Sequence, residues 1–474
     1  MLALNCTLAA GCEHPPDAKP QTGAAPRQDE TTMTAYPILG LILLTLALPV
    51  SAEDAVLRLS RSDYAERLQG FWLGQNIANW TGLVTEMDAV GTPETLPFYT
   101  DSDWGSLDRR SVWGDFVAHS DRIAFYFEPL GTPWGADDDT DIEYLYSFLH
   151  HHHETSKLTA EQIRDGWLTH IYSETDAPLH QKFPDSTPVI ENFLWVSNER
   201  ARQLMTEGMR PPNTSAPMHN PMHSMIDAQL TTEIFGLLAP GRPDTAQDIA
   251  YLPIRTTAQG EAAWIAQFYV VMHSLAARVD PTLTRQEQTQ WLADQASQTL
   301  PPDSTAAKIY QFVAGHYRRQ PDQWALTRDA IYQRYQLTGA DNYQYQAPFD
   351  ALINFAASLV SWFYGEGDIV RTIQIATLAG WDSDNPSATW GGLLGFMLGL
   401  DGVKAAFALE DVSNTYWIHR TRRQFPDRTP DQDGEDSFAL MAARDLQTID
   451  RVVVEQMGGQ LDRRNDEWII PLAP

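Results

Sequence analysis

Aspartates recur in this chain at spacings too tight for an ordinary solvated surface. Asp137-Asp138-Asp139-Thr140-Asp141 places four carboxylates in five residues, and Gly380-Trp381-Asp382-Ser383-Asp384-Asn385-Pro386 places two more in one polar turn. A further acidic position, Glu86, follows a run of small residues far upstream. One or two acids in a first helical turn are favoured by the helix dipole, but four exceed what capping needs. Crowded oxygen donors suit a hard divalent cation such as Mg²⁺, Mn²⁺ or Ca²⁺, which offsets their repulsion. Neither cluster is an EF-hand: the loop position that needs Gly holds Ile142 or Ser387, and the one that needs Glu holds Phe148 or Leu393. The plain alternative at the second cluster is a capped helix-turn-helix, with Gly380 as C′, Asp384 or Asn385 as N-cap and Pro386 at N1.

The elements that must position these groups read as helices. From Asp63 to Asn79 apolar residues recur at helical spacing, and Gly70, Gly74 and Ala78 share one face, so another helix can approach closely and this helix is central. It ends near Gly82. Residues 91 to 136 are rich in Gly, Pro, Trp and Asp and read as a long irregular segment, the kind that carries function. A helix opens in the first aspartate cluster, with Ile142, Leu145 and Leu149 on its core face. His150 to His153 end it; pointing roughly 100° apart, they cannot share one ion and read as a solvated C-terminus.

Thr159 to Gln162 and Thr284 to Glu287 are capping boxes, Gly208 closes a helix over Arg200 to Glu207, and Gly260 to Ala277 is apolar nearly all round and therefore buried. Tyr310 to Tyr335, Asp350 to Tyr364, Ile369 to Ala379 and Ser437 to Met457 are further helices, and the charged stretch from Thr421 to Ser437 is a surface connection. Strand patterns are scarce. The fold class is all-α, one large orthogonal helical bundle.

The 474 residues carry a formal charge of -29, which repels nucleic acid and anionic lipid. Cys6 and Cys12 are the only cysteines, so thiol chemistry, zinc-thiolate sites and disulfides are excluded downstream. Residues 33–52 form an apolar run ending Val50-Ser51-Ala52, the pattern of a secretory signal and too short for a permanent span. Residues 1–32 read as an extension upstream of the true start at Met33, and 53–474 as the catalytic domain of an exported, periplasmic or extracellular protein. Leu8 to Cys12 has the shape of a lipoprotein cleavage box, but its leader is short.

Three motifs in order resemble the ADP-ribosylglycohydrolase family. Gly70-x3-Gly74-x3-Ala78-Asn79-Trp80-Thr81-Gly82-x3-Glu86 is similar to its Gly-x3-Gly-x3-Gly-Asp-Ala-x-Gly-x3-Glu, Asp137-Asp138-Asp139-Thr140 to its Thr-Asp-Asp-Thr, and Gly380-Trp381-Asp382-Ser383-Asp384-Asn385 to its Gly-Gly-Asp-Thr-Asp-Thr. Ile226 to Gln229 and Phe235 to Gly241 resemble its middle section. The resemblance implies an all-helical, metal-dependent hydrolase acting at the anomeric carbon of an ADP-ribosyl unit. It implies two Mg²⁺ ions held by Asp138, Asp139, Asp382 and Asp384, with Asp137 and Asn385, at the threonine positions, as further metal ligands, and Glu86 and Asp139 in the catalytic role. Trp381 and Trp134 are expected to contact substrate, an ADP-ribosylated protein or a small ribosyl compound, and the protein is expected to be a monomer. Asn79 replaces an Asp, Trp381 a Gly, and Thr256-Thr257-Ala258 stands where many members carry a His. Two other readings compete: a secreted helical carbohydrate hydrolase using paired carboxylates without metal, and a non-catalytic binding or structural member of the family.

Overall fold

A computed structural model describes residues 56–109, 120–135, 138–171, 194–416 and 436–472. The expected upstream stretch and signal, most of the charged connection before Ser437, and Asp137 lie outside the described residues. Fifteen helices are described. In chain order they are α1 (Arg61–Gly82), α2 (Asp138–His152), α3 (Ala160–His170), α4 (Val196–Thr206), α5 (Asp227–Leu230), α6 (Ile234–Leu238), α7 (Pro243–Thr257) and α8 (Glu261–Leu275). Then follow α9 (Arg285–Ser297), α10 (Thr305–Arg319), α11 (Trp324–Ile331), α12 (Ala351–Gly365), α13 (Ile369–Ala379), α14 (Asp384–Ala406) and α15 (Phe438–Glu455). The protein is all-helical apart from small sheets, as the sequence pattern predicts.

The expected small-residue stripe finds its partner in α14, which runs antiparallel to α1. A Cβ on Gly70 would stand 2.4 Å from the Gly395 carbonyl oxygen, one on Gly74 2.2 Å from that of Gly391, and one on Gly391 2.3 Å from the Cβ of Ala78. The two backbones therefore touch along several turns, an approach closer than ordinary helix packing. At the end of this seam a Cβ on Gly82 would lie 2.4 Å from the Cα of Asp384, so the last turn of α1 abuts the first turn of α14. Every residue from Gly70 to Asn79, and from Asp384 to Phe396, is buried. Gly399, at φ 73°, breaks the helical path of α14, and the Glu66 carboxylate accepts the Asp401 N–H there at 3.0 Å.

Around this pair the core is aromatic. Trp390 packs on Trp362 at 4.4 Å and on Tyr269 at 5.3 Å between ring centroids, joining α14 to α12 and to the buried α8. The capping boxes at Thr159 and Thr284 form as expected, and Gly208 takes φ 97° just past the end of α4.

Four expectations need correction. The helical region from Tyr310 to Tyr335 is two helices, α10 and α11, the second running into a wide turn over Tyr332–Leu337. α14 begins at Asp384, preceded by Ser383, so neither Asp384 nor Asn385 is an external cap. His150 is not solvated: it is fully buried, its Nδ1 lies 2.9 Å from the Thr155 carbonyl oxygen, and burial pushes it down to about 4. The sequence also hid a three-stranded antiparallel sheet in which β1 (Val56–Ser60) pairs with β5 (Glu467–Pro471), flanked by β4 (Gln460–Asp462); β2 (Thr415–Tyr416) and β3 (Asp436–Ser437) form a separate pair. Just after β1, Arg61 anchors the start of α1 by a bidentate pair to Asp450, 2.9 Å on each arm, and a 2.7 Å bond to Asp466.

The seam sets a measurable contrast. Gly74→Ala is expected to destabilise by on the order of 3 kcal/mol, because backbone faces the new methyl. Gly315→Ala in α10, where the nearest atom is the mobile tip of Arg319 at 3.3 Å, should be neutral or gain up to about 1 kcal/mol. Urea denaturation of the two variants measures both effects.

Candidate active site

The ends of α1 and α13 and the starts of α2 and α14 meet at one place. Glu86 lies in the turn that leaves α1, and Asp382 lies in the turn between α13 and α14. Their neighbours lock the two turns in register. Thr85 Oγ1 lies 2.9 Å from Ser383 Oγ, a pairing across 298 residues of sequence, and Ser383 Oγ donates to the Gly82 carbonyl at 3.0 Å. On the other side, Met87 N–H donates to the Trp381 carbonyl at 3.0 Å and Trp381 N–H to that of Ala89 at 2.9 Å. Glu86 is thereby bracketed opposite Asp382. Both Met87 and Trp381 hold φ near 60°, a left-handed conformation that costs side-chain-bearing residues energy and concentrates at functional turns. Asn354 of α12 adds a third anchor by accepting the Asp382 N–H at 3.2 Å.

The result is a cluster in which Glu86, Asp382 and Asp384 each present an oxygen within 4.8 Å of the others. Three carboxylate oxygens that close match the reach of one hard divalent ion, whose ligand distances run from about 2.0 to 2.6 Å. The donor set therefore fits such an ion. The aspartates are buried and Glu86 is half-buried, which puts it on the side nearer solvent.

Asp138 and Asp139, at the start of α2, adjoin this cluster. The amide Nδ2 of Asn79 makes long contacts to Asp139 at 3.5 Å and to Asp384 at 3.4 Å, so it stands between the two aspartate turns. The sequence marks Asn79 only as a departure from the family motif; the geometry shows a donor where an Asp would add a further negative charge. Asp138 accepts from Asn198 Nδ2 at 2.9 Å, and the backbone N–H of Asn198 donates to Asp227 at 2.8 Å. Asp227 falls in the stretch that resembles the family's middle section, but nothing in the sequence pairs it with Asn198, which alone looks like an ordinary polar position. Asn385, expected as a ligand, accepts from Gln229 at 3.4 Å and lies just behind Asp384. Asp141 is turned away: it is hydrogen-bonded to Tyr416.

The two tryptophans expected at the substrate lie in the core. Trp381 is fully buried, packed 4.9 Å from Phe98, and donates to Gln336 at 2.8 Å. Trp134 is also fully buried, donating through its indole to the Ser413 carbonyl at 2.9 Å. Trp381 points inward because its positive φ turns the side chain beneath the loop, so it supports the turn instead of gating what passes over it.

Over residues 60–435 the chain matches the ADP-ribosylglycohydrolase family, a span that contains every acidic group just described. The chain belongs to that family. A solved structure described as an ADP-ribosylglycohydrolase-related protein complex is similar at 14% identity, over 82% of this chain and 99% of that one, with a TM-score of 0.44. No curated protein matches the chain. Among the described residues no helix is long and apolar enough to cross a membrane.

Asp227 gives this ADP-ribosylglycohydrolase family member a pH signature. Burial pushes its carboxyl up to about 6, against bonds from Ser197 and Asn198 that lower it. A carboxyl raised in the folded state contributes full stability below its unfolded value near 4 and loses it as the pH rises through about 6, a change of at most roughly 3 kcal/mol. Asp227→Asn should therefore match the wild type at pH 4 and exceed it at pH 8, measured by urea denaturation in chelator.

Proposed function

We propose that this family member is a divalent-ion-dependent hydrolase that cleaves a glycosidic bond to ADP-ribose or a related ribosyl group. The observation that carries the reading is the convergence of Glu86 with Asp382 and Asp384 from distant parts of the chain into one oxygen-lined cluster. Glu86, Asp382 and Asp384 would hold one ion, with Asp138 and Asp139 completing a second position beside it. Bound Mg²⁺ or Mn²⁺ would supply positive charge that orders ribose hydroxyls, lowers the pKa of water and offsets the repulsion between a diphosphate and this acidic protein.

The chain's own groups do the rest. Glu86, the least buried of the cluster, is placed to orient a water and accept its proton, and Asp139 assists from the start of α2. As the bond to the leaving group stretches, positive charge grows on the ribosyl ring, and the surrounding carboxylates stabilise it. The bracketed register of residues 85–87 against 381–383 keeps these groups in place before substrate arrives, which removes most of the orientational cost of the reaction. The substrate is an ADP-ribosylated protein or a small ADP-ribosyl compound, and the segment 33–52 directs the protein to the periplasm or cell exterior.

Free ADP-ribose released from ADP-ribosylated peptides is the decisive measurement. Activity should appear with Mg²⁺ or Mn²⁺, vanish in EDTA and return on readdition. Asp382→Asn and Asp384→Asn should each abolish both turnover and the ion-dependent rise in melting temperature. Glu86→Gln should lower kcat by at least about 100-fold. Activity that persists in EDTA would overturn the ion-dependent reading.

A further inference from the structure

One helical turn beneath the acidic cluster lies a second polar layer built on the same helices. Gln75 precedes Asn79 by four residues on α1, Glu143 follows Asp139 by four on α2, and Thr389 follows Asp384 by five on α14. Glu233, at the start of α6, completes the layer. Glu143 accepts from Gln75 Nε2 at 2.5 Å and from the Ile234 N–H at 2.6 Å, while Glu233 accepts from Thr389 Oγ1 at 2.6 Å. The two carboxyls are hydrogen-bonded to each other, and both are completely enclosed, at 0% and 1% exposure.

Two carboxylates in contact inside an apolar core cannot both be ionised, so the pair retains at least one proton. Burial pushes Glu233 up to about 7, and burial together with the Glu233 charge holds Glu143 well above the usual carboxylate range. Tyr269 of α8 also faces Glu233 and is kept neutral by burial. Such an arrangement is expensive, since an apolar pair of similar volume would hold the same helices together at lower cost. Directional bonds supply what apolar packing does not, a fixed distance and register between the helices they join.

We propose that Glu143 and Glu233 are positioning residues for the acidic cluster above them. The bonded pair, tied to α1 through Gln75 and to α14 through Thr389, sets the separation at which Asp139 and Asp384 face each other, and through it the affinity for divalent ions. The inference rests on the ion site proposed above.

The test uses the full chain stripped of metal, with the Mn²⁺ dissociation constant read by calorimetry and the melting temperature read in EDTA. For Glu143→Met combined with Glu233→Met, the expected result is a melting temperature in EDTA equal to or above the wild type, with Mn²⁺ binding at least tenfold weaker. Glu143→Gln, which keeps directional bonds, should bind within threefold of the wild type. Thr389→Val, a change of nearly equal volume that cuts the tie to α14, should weaken Mn²⁺ at least threefold, and it decides the matter if the double variant does not fold. Wild-type affinity in a folded double variant, or in Thr389→Val, overturns the positioning role. Absence of Mn²⁺ binding by the wild type overturns the ion site itself, a separate result.

Discussion

The contact between α1 and α14 is the constraint on which the remainder of the molecule depends. With glycine at 70, 74, 391 and 395, main-chain atoms of the two helices meet directly. That closeness does more than bury surface. It fixes how far each helix can slide along the other, because the Gly82 end of one is seated against the Asp384 end of its partner. A functional group placed just beyond either end is thereby delivered to the same point in space. Glu86 leaves one end and Asp382 precedes the other, so the acidic cluster is a geometric product of the seam.

Concentrating carboxylates inside a protein that already carries a charge of -29 is costly unless the environment is organised around them. Here the organisation is layered. Amides of Asn79, Asn198 and Asn354 donate to the aspartates or hold their backbone, and hydroxyls of Thr85 and Ser383 tie the two loops without adding charge. The aromatic residues lie outside this shell, where Trp381 and Phe98 close the underside of the turn. Charge is thus confined to the place where it can do chemistry, and neutral donors define its boundary.

Much of this was legible in the residues, and the reason differs from one feature to the next. The stripe of Gly70, Gly74 and Ala78 announces close packing, because only small residues at a four-residue interval permit it, yet nothing in α1 alone names α14 as the partner. The aspartate runs at 137–141 and 382–384 stand out because their density exceeds what solvent or capping requires. Glu86 is different: in isolation it is an unremarkable loop acid, and only the motif around it assigns it to the cluster. Glu143 and Glu233 carry no such signal, because a single acid within a helical pattern reads as a solvated face and its burial is decided by helices distant in sequence; Asp227 stands in the stretch that resembles the family's middle section, but nothing there names its partner. Trp381 misleads for a related reason. An aromatic residue in a polar turn invites a reading as a pocket wall, whereas the backbone conformation, which the sequence does not display, sends the ring into the core. The terminal sheet escaped because Val56 to Ser60 is too short to establish a period, and its partner strand lies more than four hundred residues away.

The antiparallel register of β1 on β5, with Val56 opposite Pro471, bears on the order in which the protein can assemble. The sheet joins the strand before α1 to residues 467–471 and the glycine seam joins α1 to α14, so both contacts close loops of about three hundred residues or more. Such a topology places the cost of closing long loops ahead of the contacts that reward it, which slows folding relative to a bundle of sequential neighbours.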